Sequence, residues 1–132
     1  MSILPGLIYL GLLGGTLLSR NNFFKNNITK IIAKDAAKKI SENYFDYIVD
    51  VRSKKEHDQG YIKNSLFYES LASNPELFKK VLNDIQDKDS KILIYCRSGR
   101  RAYEAASQFI NNDYTNVWIV NDGGYQELKK NE

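Results

Sequence analysis

Short apolar runs alternate with helix-spaced segments from Ile28 to the end of the chain, and this alternation most limits the available folds. Phe45-Asp46-Tyr47-Ile48-Val49-Asp50-Val51 is aromatic and β-branched, and Ile92-Leu93-Ile94-Tyr95 and Val117-Trp118-Ile119-Val120 are apolar, so all three read as strands. Ile28–Ile31 and Ser65–Tyr68 are weaker strand candidates. Between them, Ala33–Ile40, Arg101–Asn111 and Tyr125–Lys130 carry helical spacing. Pro75 is placed to start a helix over Glu76–Ile85, with Leu77, Val81, Leu82 and Ile85 on one face. Strands alternating with helices in this way predict a mostly parallel sheet covered by helices on both faces.

Cys96 is the chain's one cysteine, and it opens the run Cys96-Arg97-Ser98-Gly99-Arg100-Arg101. The preceding residues read as a buried strand and the following ones as a helix, so the thiol falls between a strand end and a helix start. A helix N-terminus presents unpaired N–H groups and partial positive charge. Arg97, Arg100 and Arg101 add guanidiniums that favour a thiolate over a thiol and suit an anionic group. Gly99 allows a tight curl in which successive N–H groups converge on an anion. Arg101 has an alternative use as a tether from the loop to an acid such as Asp50. Cys96 thus reads as a nucleophile for an anionic substrate, with Arg97, Ser98, Gly99, Arg100 and Arg101 as substrate-binding residues. Asp50 and Arg52, at the end of another strand, read as a supporting ion pair.

One cysteine forms no internal disulfide and has no resolving partner in the chain. One Cys and one His at this spacing build no metal site, and no cofactor is called for. His57 lies in Lys54-Lys55-Glu56-His57-Asp58, which reads as an exposed helical turn with a solvated imidazole. That placement argues against a cysteine-protease pair. A cysteine phosphatase or arsenate reductase places its arginine six positions after the cysteine, where this chain has Ala102; Arg101 stands one residue earlier. The net charge of +3 is small and the Lys pairs are scattered, which excludes a nucleic-acid stripe as the expected partner.

Ile3–Leu18 carries no charge, and the chain is divided accordingly into an apolar segment 1–19, a linker 20–27 and a folded domain 28–132. Sixteen helical residues span about 24 Å, short of a hydrocarbon core of about 30 Å. Three readings stay open: a short single-pass anchor, a cleaved signal peptide, and a helix lying on a surface or buried by a partner. The anchor is the favoured expectation, because nothing in a soluble core needs an uncharged stretch of this length at a terminus; a signal peptide lacks the preceding basic residue and the following A-x-A site. Arg20, Lys25 and Lys30 would then hold the domain on the cytoplasmic side.

With these motifs in place, the chain resembles the single-domain rhodaneses of the thiosulfate sulfurtransferase type. The likeness runs from about residue 28 to about residue 128. It rests on Ile48-Val49-Asp50-Val51-Arg52, Glu56, Gly60-Tyr61-Ile62, Ile94-Tyr95-Cys96-Arg97-Ser98-Gly99-Arg100-Arg101, Tyr114-x-Asn116-Val117 and Gly123-Gly124. It departs at Tyr61, where the family usually has histidine, at Lys63-Asn64-Ser65, and near the C-terminus, where Tyr125 or Leu128 takes a tryptophan's space. The resemblance implies a rhodanese-like α/β fold with a five-stranded sheet. It also implies sulfane-sulfur transfer through a Cys96 persulfide, from a small anionic donor such as thiosulfate to cyanide or a thiol. The contrasting expectation is a non-catalytic rhodanese-like scaffold at a membrane.

Overall fold

The computed structural model describes residues 27–132. The expected helix over residues 3–18, and the domain boundaries drawn around it, lie outside the described residues. Five strands, β1 (Ile28–Ile32), β2 (Tyr47–Asp50), β3 (Leu66–Phe67), β4 (Ile92–Tyr95) and β5 (Val117–Asp122), form one sheet in the order β1-β5-β4-β2-β3. Every pairing is parallel. The helices are α1 (Ala33–Ser41), α2 (Lys54–Asp58), α3 (Phe78–Asp84), α4 (Arg100–Asn111) and α5 (Gly124–Lys130).

β4 lies in the middle of the sheet, which explains its uninterrupted apolar sequence. All four of its residues are fully buried, as a strand with helices on both faces requires. Successive side chains point to opposite faces. Ile92 and Ile94 join one cluster with Val49, Val81 and Ile85 and with Ala102, Ala105, Ala106 and Phe109 of α4. Leu93 and Tyr95 join the other with Ala33 and Ala36 of α1, Ile62, and Leu128 of α5. Alanines at the inward positions of α1 and α4 let both helices approach the sheet closely.

Several elements differ from the sequence expectation. β2 is four residues long, because the stretch around Phe45 packs as an edge-on aromatic group with Tyr44 and Trp118 before the strand begins. Pro75 does not start an α-helix. It opens a 3-10 turn over Pro75–Leu77, and α3 follows from Phe78. Leu82 faces water, whereas Val81 and Ile85 are buried. Among the described residues no helix is long and apolar enough to cross a membrane.

Candidate functional site

Ligands of open parallel sheets bind beyond the carboxyl ends of the strands, and two such ends meet here. β2 and β4 are neighbours, and Asp50 pairs in register with Tyr95. The residue after Tyr95 is Cys96, and the backbone then turns through Ser98 and Gly99 into α4. Gly99 sits at φ +106°, a conformation that side-chain-bearing residues rarely adopt. That curl carries the Gly99 N–H to Cys96 Sγ at 3.0 Å, and the Ala102 N–H from the first turn of α4 reaches it at 3.3 Å. Two amide donors converging on one sulfur are complementary to negative charge there. Cys96 has no exposed surface. Its far side belongs to the α4 cluster, so the sulfur is more enclosed than a loop position implies.

The loop is clamped from outside by α5. The Tyr125 N–H donates to the Cys96 carbonyl at 2.9 Å. Gly124 packs so closely that a Cβ there would collide with the Arg97 backbone, and its φ of +48° is again one that glycine tolerates best.

The three loop arginines diverge. Arg97 is exposed and makes no ion pair among the described residues. Arg100 points along α4 to Glu104 at 3.5 Å, mostly in water. Arg101 does not reach Asp50. It forms a bidentate pair with Glu56 at 2.8 and 3.0 Å. Glu56 also completes a capping box with Ser53 at the start of α2. Hydrogen bonds from Arg101, then from Ser53, pull the Glu56 carboxyl down to about 2, outweighing the opposing effect of burial. Arg101 is raised in turn, chiefly by its hydrogen bonds to Glu56. Ser98 is exposed, on the outer side of the loop.

Asp50 is the hub of the buried network beside the loop. It has no exposed surface, and a buried carboxylate must be fully hydrogen-bonded. Its Oδ1 accepts from the Arg52 N–H at 2.9 Å and from Nε at 3.0 Å. Its Oδ2 accepts from Arg52 Nη2 at 2.9 Å and from the Tyr95 hydroxyl at 2.9 Å. Arg52 Nη2 also donates to the Gly60 carbonyl at 2.6 Å, and its guanidinium lies 4.0 Å from the Tyr125 ring centre. Burial opposes the charged guanidinium of Arg52, but the bonds and charge of Asp50 prevail and the net displacement is upward. Burial, together with the Asp50 charge, pushes the Tyr95 phenol well above its usual range.

His57 corrects the reading of its segment. Its side chain is only 18 % exposed, and Nδ1 lies 3.0 Å from Asp50 Oδ2. The imidazole is sandwiched between Tyr61 and Phe67, with ring centres at 4.4 and 4.0 Å and planes within 12°. Tyr61, the residue that departs from the family's usual pattern, is one wall of that stack. A cleft of about 270 Å³ opens next to the loop, lined by Arg52, Glu56, Gln59, Arg97, Tyr125 and Gln126. The structure thus brings together Cys96, Gly99, Asp50 and Arg52, with Arg97 at the cleft. Arg100 and Ser98 stay outside this group. Ala102, Glu56, His57, Gly124 and Tyr125 complete the arrangement. Only Glu56, the Gly123-Gly124 doublet and Tyr125 left a trace in the sequence pattern.

The parallel five-stranded sheet with a cysteine loop at its carboxyl edge makes this an α/β domain of the kind that holds a reactive cysteine beside a helix start. The chain belongs to the rhodanese-like domain family, whose pattern matches residues 32–131. It is 35 % identical over 83 residues to an uncharacterized protein of Rickettsia prowazekii, covering 58 % of this chain and 68 % of that one. It is 24 % identical over 110 residues to the tRNA uridine(34) hydroxylase of Yersinia enterocolitica, covering 83 % of this chain and 31 % of the hydroxylase. The chain therefore spans about a third of that relative's length. Among solved structures, it superposes on a rhodanese-like domain protein of Staphylococcus aureus with a TM-score of 0.61 at 23 % identity, covering 76 % of this chain and 90 % of that one. A human single-domain sulfurtransferase gives 0.59 at 18 % identity, covering 80 % and 97 %. At these identities the structural likenesses show the fold.

Proposed function

We propose that this protein is a sulfurtransferase in which Cys96 carries a sulfane sulfur as a persulfide. The observation that carries the reading is the pair of N–H groups, from Gly99 and Ala102, aimed at Cys96 Sγ at the end of the central strand. In the first step the Cys96 thiolate attacks the outer sulfur of thiosulfate. A sulfur–sulfur bond to Cys96 forms, the one within thiosulfate breaks, and sulfite leaves with the electron pair. In the second step an acceptor attacks the outer sulfur of the persulfide, taking it and releasing the Cys96 thiolate. With cyanide as the acceptor the product is thiocyanate, and no external oxidant or reductant is consumed.

The protein's part is electrostatic and positional. Anion attacking anion is repulsive in water, so fixed N–H dipoles at the sulfur lower the barrier. The α5 clamp on the Cys96 carbonyl and the Glu56–Arg101 pair hold the two sides of the loop. Arg97, exposed on the loop, supplies positive charge at the neighbouring cleft. In the contrasting scaffold reading, an amide-lined sulfur at the end of β4 would have no task.

The test is full-length protein given thiosulfate and cyanide. Thiocyanate should form, and Cys96 should gain the mass of one sulfur when cyanide is omitted. Both signals should vanish in Cys96→Ser. Wild-type protein that yields neither would overturn the sulfurtransferase reading in favour of a binding module. As for the segment before the domain, we propose that residues 3–18 anchor the chain in a membrane. Release of full-length protein from membranes by carbonate alone would count against this.

A further inference from the structure

The sulfur at the end of β4 is sealed. Cys96 has no exposed surface, and it is not among the residues that line the neighbouring cleft. Reacting atoms must approach to about 3–3.5 Å, so an electrophile reaches Sγ only if part of the cover moves. On the β5 and α5 side the loop is packed too tightly for that. An added Cβ at Gly99 would press on the Asn121 backbone, and one at Gly124 would collide with the Arg97 backbone. The Tyr125 N–H also holds the Cys96 carbonyl. Behind the sulfur lies the core cluster of α4.

The remaining side is α2. No residue of this five-residue helix is buried, so little apolar contact holds it down. The segment that carries it is pinned at its base by one side chain. It begins after Arg52, and Arg52 Nη2 donates to the carbonyl of Gly60, where it ends. Between those points two side chains tie α2 to the domain. His57 is stacked between Tyr61 and Phe67 and bonded to Asp50. Its neighbour Glu56 lines the cleft and accepts both bonds from Arg101, on the first turn of α4. Arg101 immediately precedes Ala102, whose N–H reaches Sγ. Hydrogen bonds to Glu56 are the main cause of the raised Arg101, and the Cys96 charge adds to it, so the guanidinium lies in the field of the sulfur. The pair thus bridges the cleft wall and the rim of the sulfur's cup. Its partners keep 29 % and 26 % of their side-chain surface in water, and an ion pair so exposed is readily broken.

We propose that α2 is a gate over Cys96, with the Glu56–Arg101 pair as its latch and His57 as its pivot. The latch is shut in this structure. When Arg101 releases Glu56, α2 swings about His57 and the cleft becomes continuous with the sulfur. The proposal deepens the sulfur-transfer reading by setting how a donor reaches Cys96, and it is tested without turnover, so either can fail alone.

Full-length protein is treated with iodoacetamide, and alkylation of Cys96 is followed by mass. Rates are taken where further base no longer raises them, so that variants are compared per thiolate. The wild type should react more than about tenfold more slowly than N-acetylcysteine, as expected of an open state populated at about 0.1–10 %. Glu56→Gln should speed alkylation by about tenfold, the equivalent of about 1.4 kcal/mol. Glu104→Gln, which breaks the Arg100 pair on α4 without touching α2, should stay within about twofold of wild type. Urea below the unfolding transition should barely change the wild-type rate, because moving one short segment exposes little surface. Wild-type alkylation at the rate of a free thiolate would overturn the gate. So would an unchanged rate in Glu56→Gln, an equal gain in Glu104→Gln, or a urea dependence matching that of global unfolding. Hydrogen exchange gives a second reading. The Gln59 and Gly60 N–H groups, bonded within the segment to the Glu56 and His57 carbonyls, should exchange faster in Glu56→Gln while the Ile92 N–H of β4 stays protected. Equal loss of protection at Ile92 would assign the effect to the whole domain and overturn the gate. A protein that meets these expectations yet forms no thiocyanate keeps the gate and loses the sulfur-transfer reading.

Discussion

Glu56→Gln tests how the cysteine loop is tied to α2. Glutamine keeps the hydrogen-bond acceptor that the Ser53 capping box uses but removes the charge that Arg101 grips with two bonds. Displacement of the Glu56 carboxyl from 4.5 to about 2 corresponds to an upper bound of about 3 kcal/mol, each tenfold in proton affinity being about 1.4 kcal/mol. Arg101 and Glu56 each keep about a quarter of their side-chain surface in water, 29 % and 26 %. Solvent screening therefore reduces the expected contribution to about 1–2 kcal/mol.

The sign follows from the direction of the displacement. A carboxyl that is lowered in the folded protein stabilises above its unfolded value, and that stability fades as pH falls from 4.5 toward about 2. Urea unfolding at pH 7 should show Glu56→Gln destabilised by about 1–2 kcal/mol. For a domain of this size that lowers Tm by roughly 3–8 °C. At about pH 3 more than half of the difference should be gone. A difference of the same size at both pH values would refute the ion-pair account and leave only a packing effect.

Three further outcomes follow from the geometry. Gly124→Ala places a methyl group against the Arg97 backbone, so sulfur transfer should fall by more than about tenfold while far-ultraviolet circular dichroism stays near wild type. His57→Phe keeps the stack between Tyr61 and Phe67 but deletes the donor to Asp50. It should cost about 1–2 kcal/mol in urea unfolding, and His57→Asn, which restores a donor without the stack, should not recover all of it. Phe109→Ala empties a fully buried ring that packs on Phe78 and Tyr114. Thermal unfolding should show a loss of about 3–5 kcal/mol.

The parts of this fold that the sequence announces are those decided by local patterning. β4 is legible because burial on both faces leaves four apolar residues in a row, and α4 because its alanines recur at helical spacing. Cys96 is legible because its neighbours on either side declare a strand end and a helix start. Contacts between distant segments carry no such local mark. Either Asp50 or Glu56 is a chemically adequate partner for Arg101, and the choice depends on where α2 lies against the loop, 45 residues away in sequence. His57 reads as solvated because Lys54, Lys55 and Asp58 around it face water. Its own position on the same short helix turns inward to a buried carboxylate. Pro75 misleads for a different reason. Proline suits the first turn of any helix, and nothing in Pro75-Glu76-Leu77 distinguishes a 3-10 turn from an α-helix.

The all-parallel sheet also separates the site from the point where the chain enters. Ile28 begins β1 and shares the level of Val117, which in turn pairs with Ile92. Cys96 lies four residues beyond Ile92, about 13 Å up at the usual rise per residue of a parallel strand. Asn27, through which residues 3–18 are joined to the domain, therefore lies at the opposite end of the sheet from the cysteine loop and its cleft.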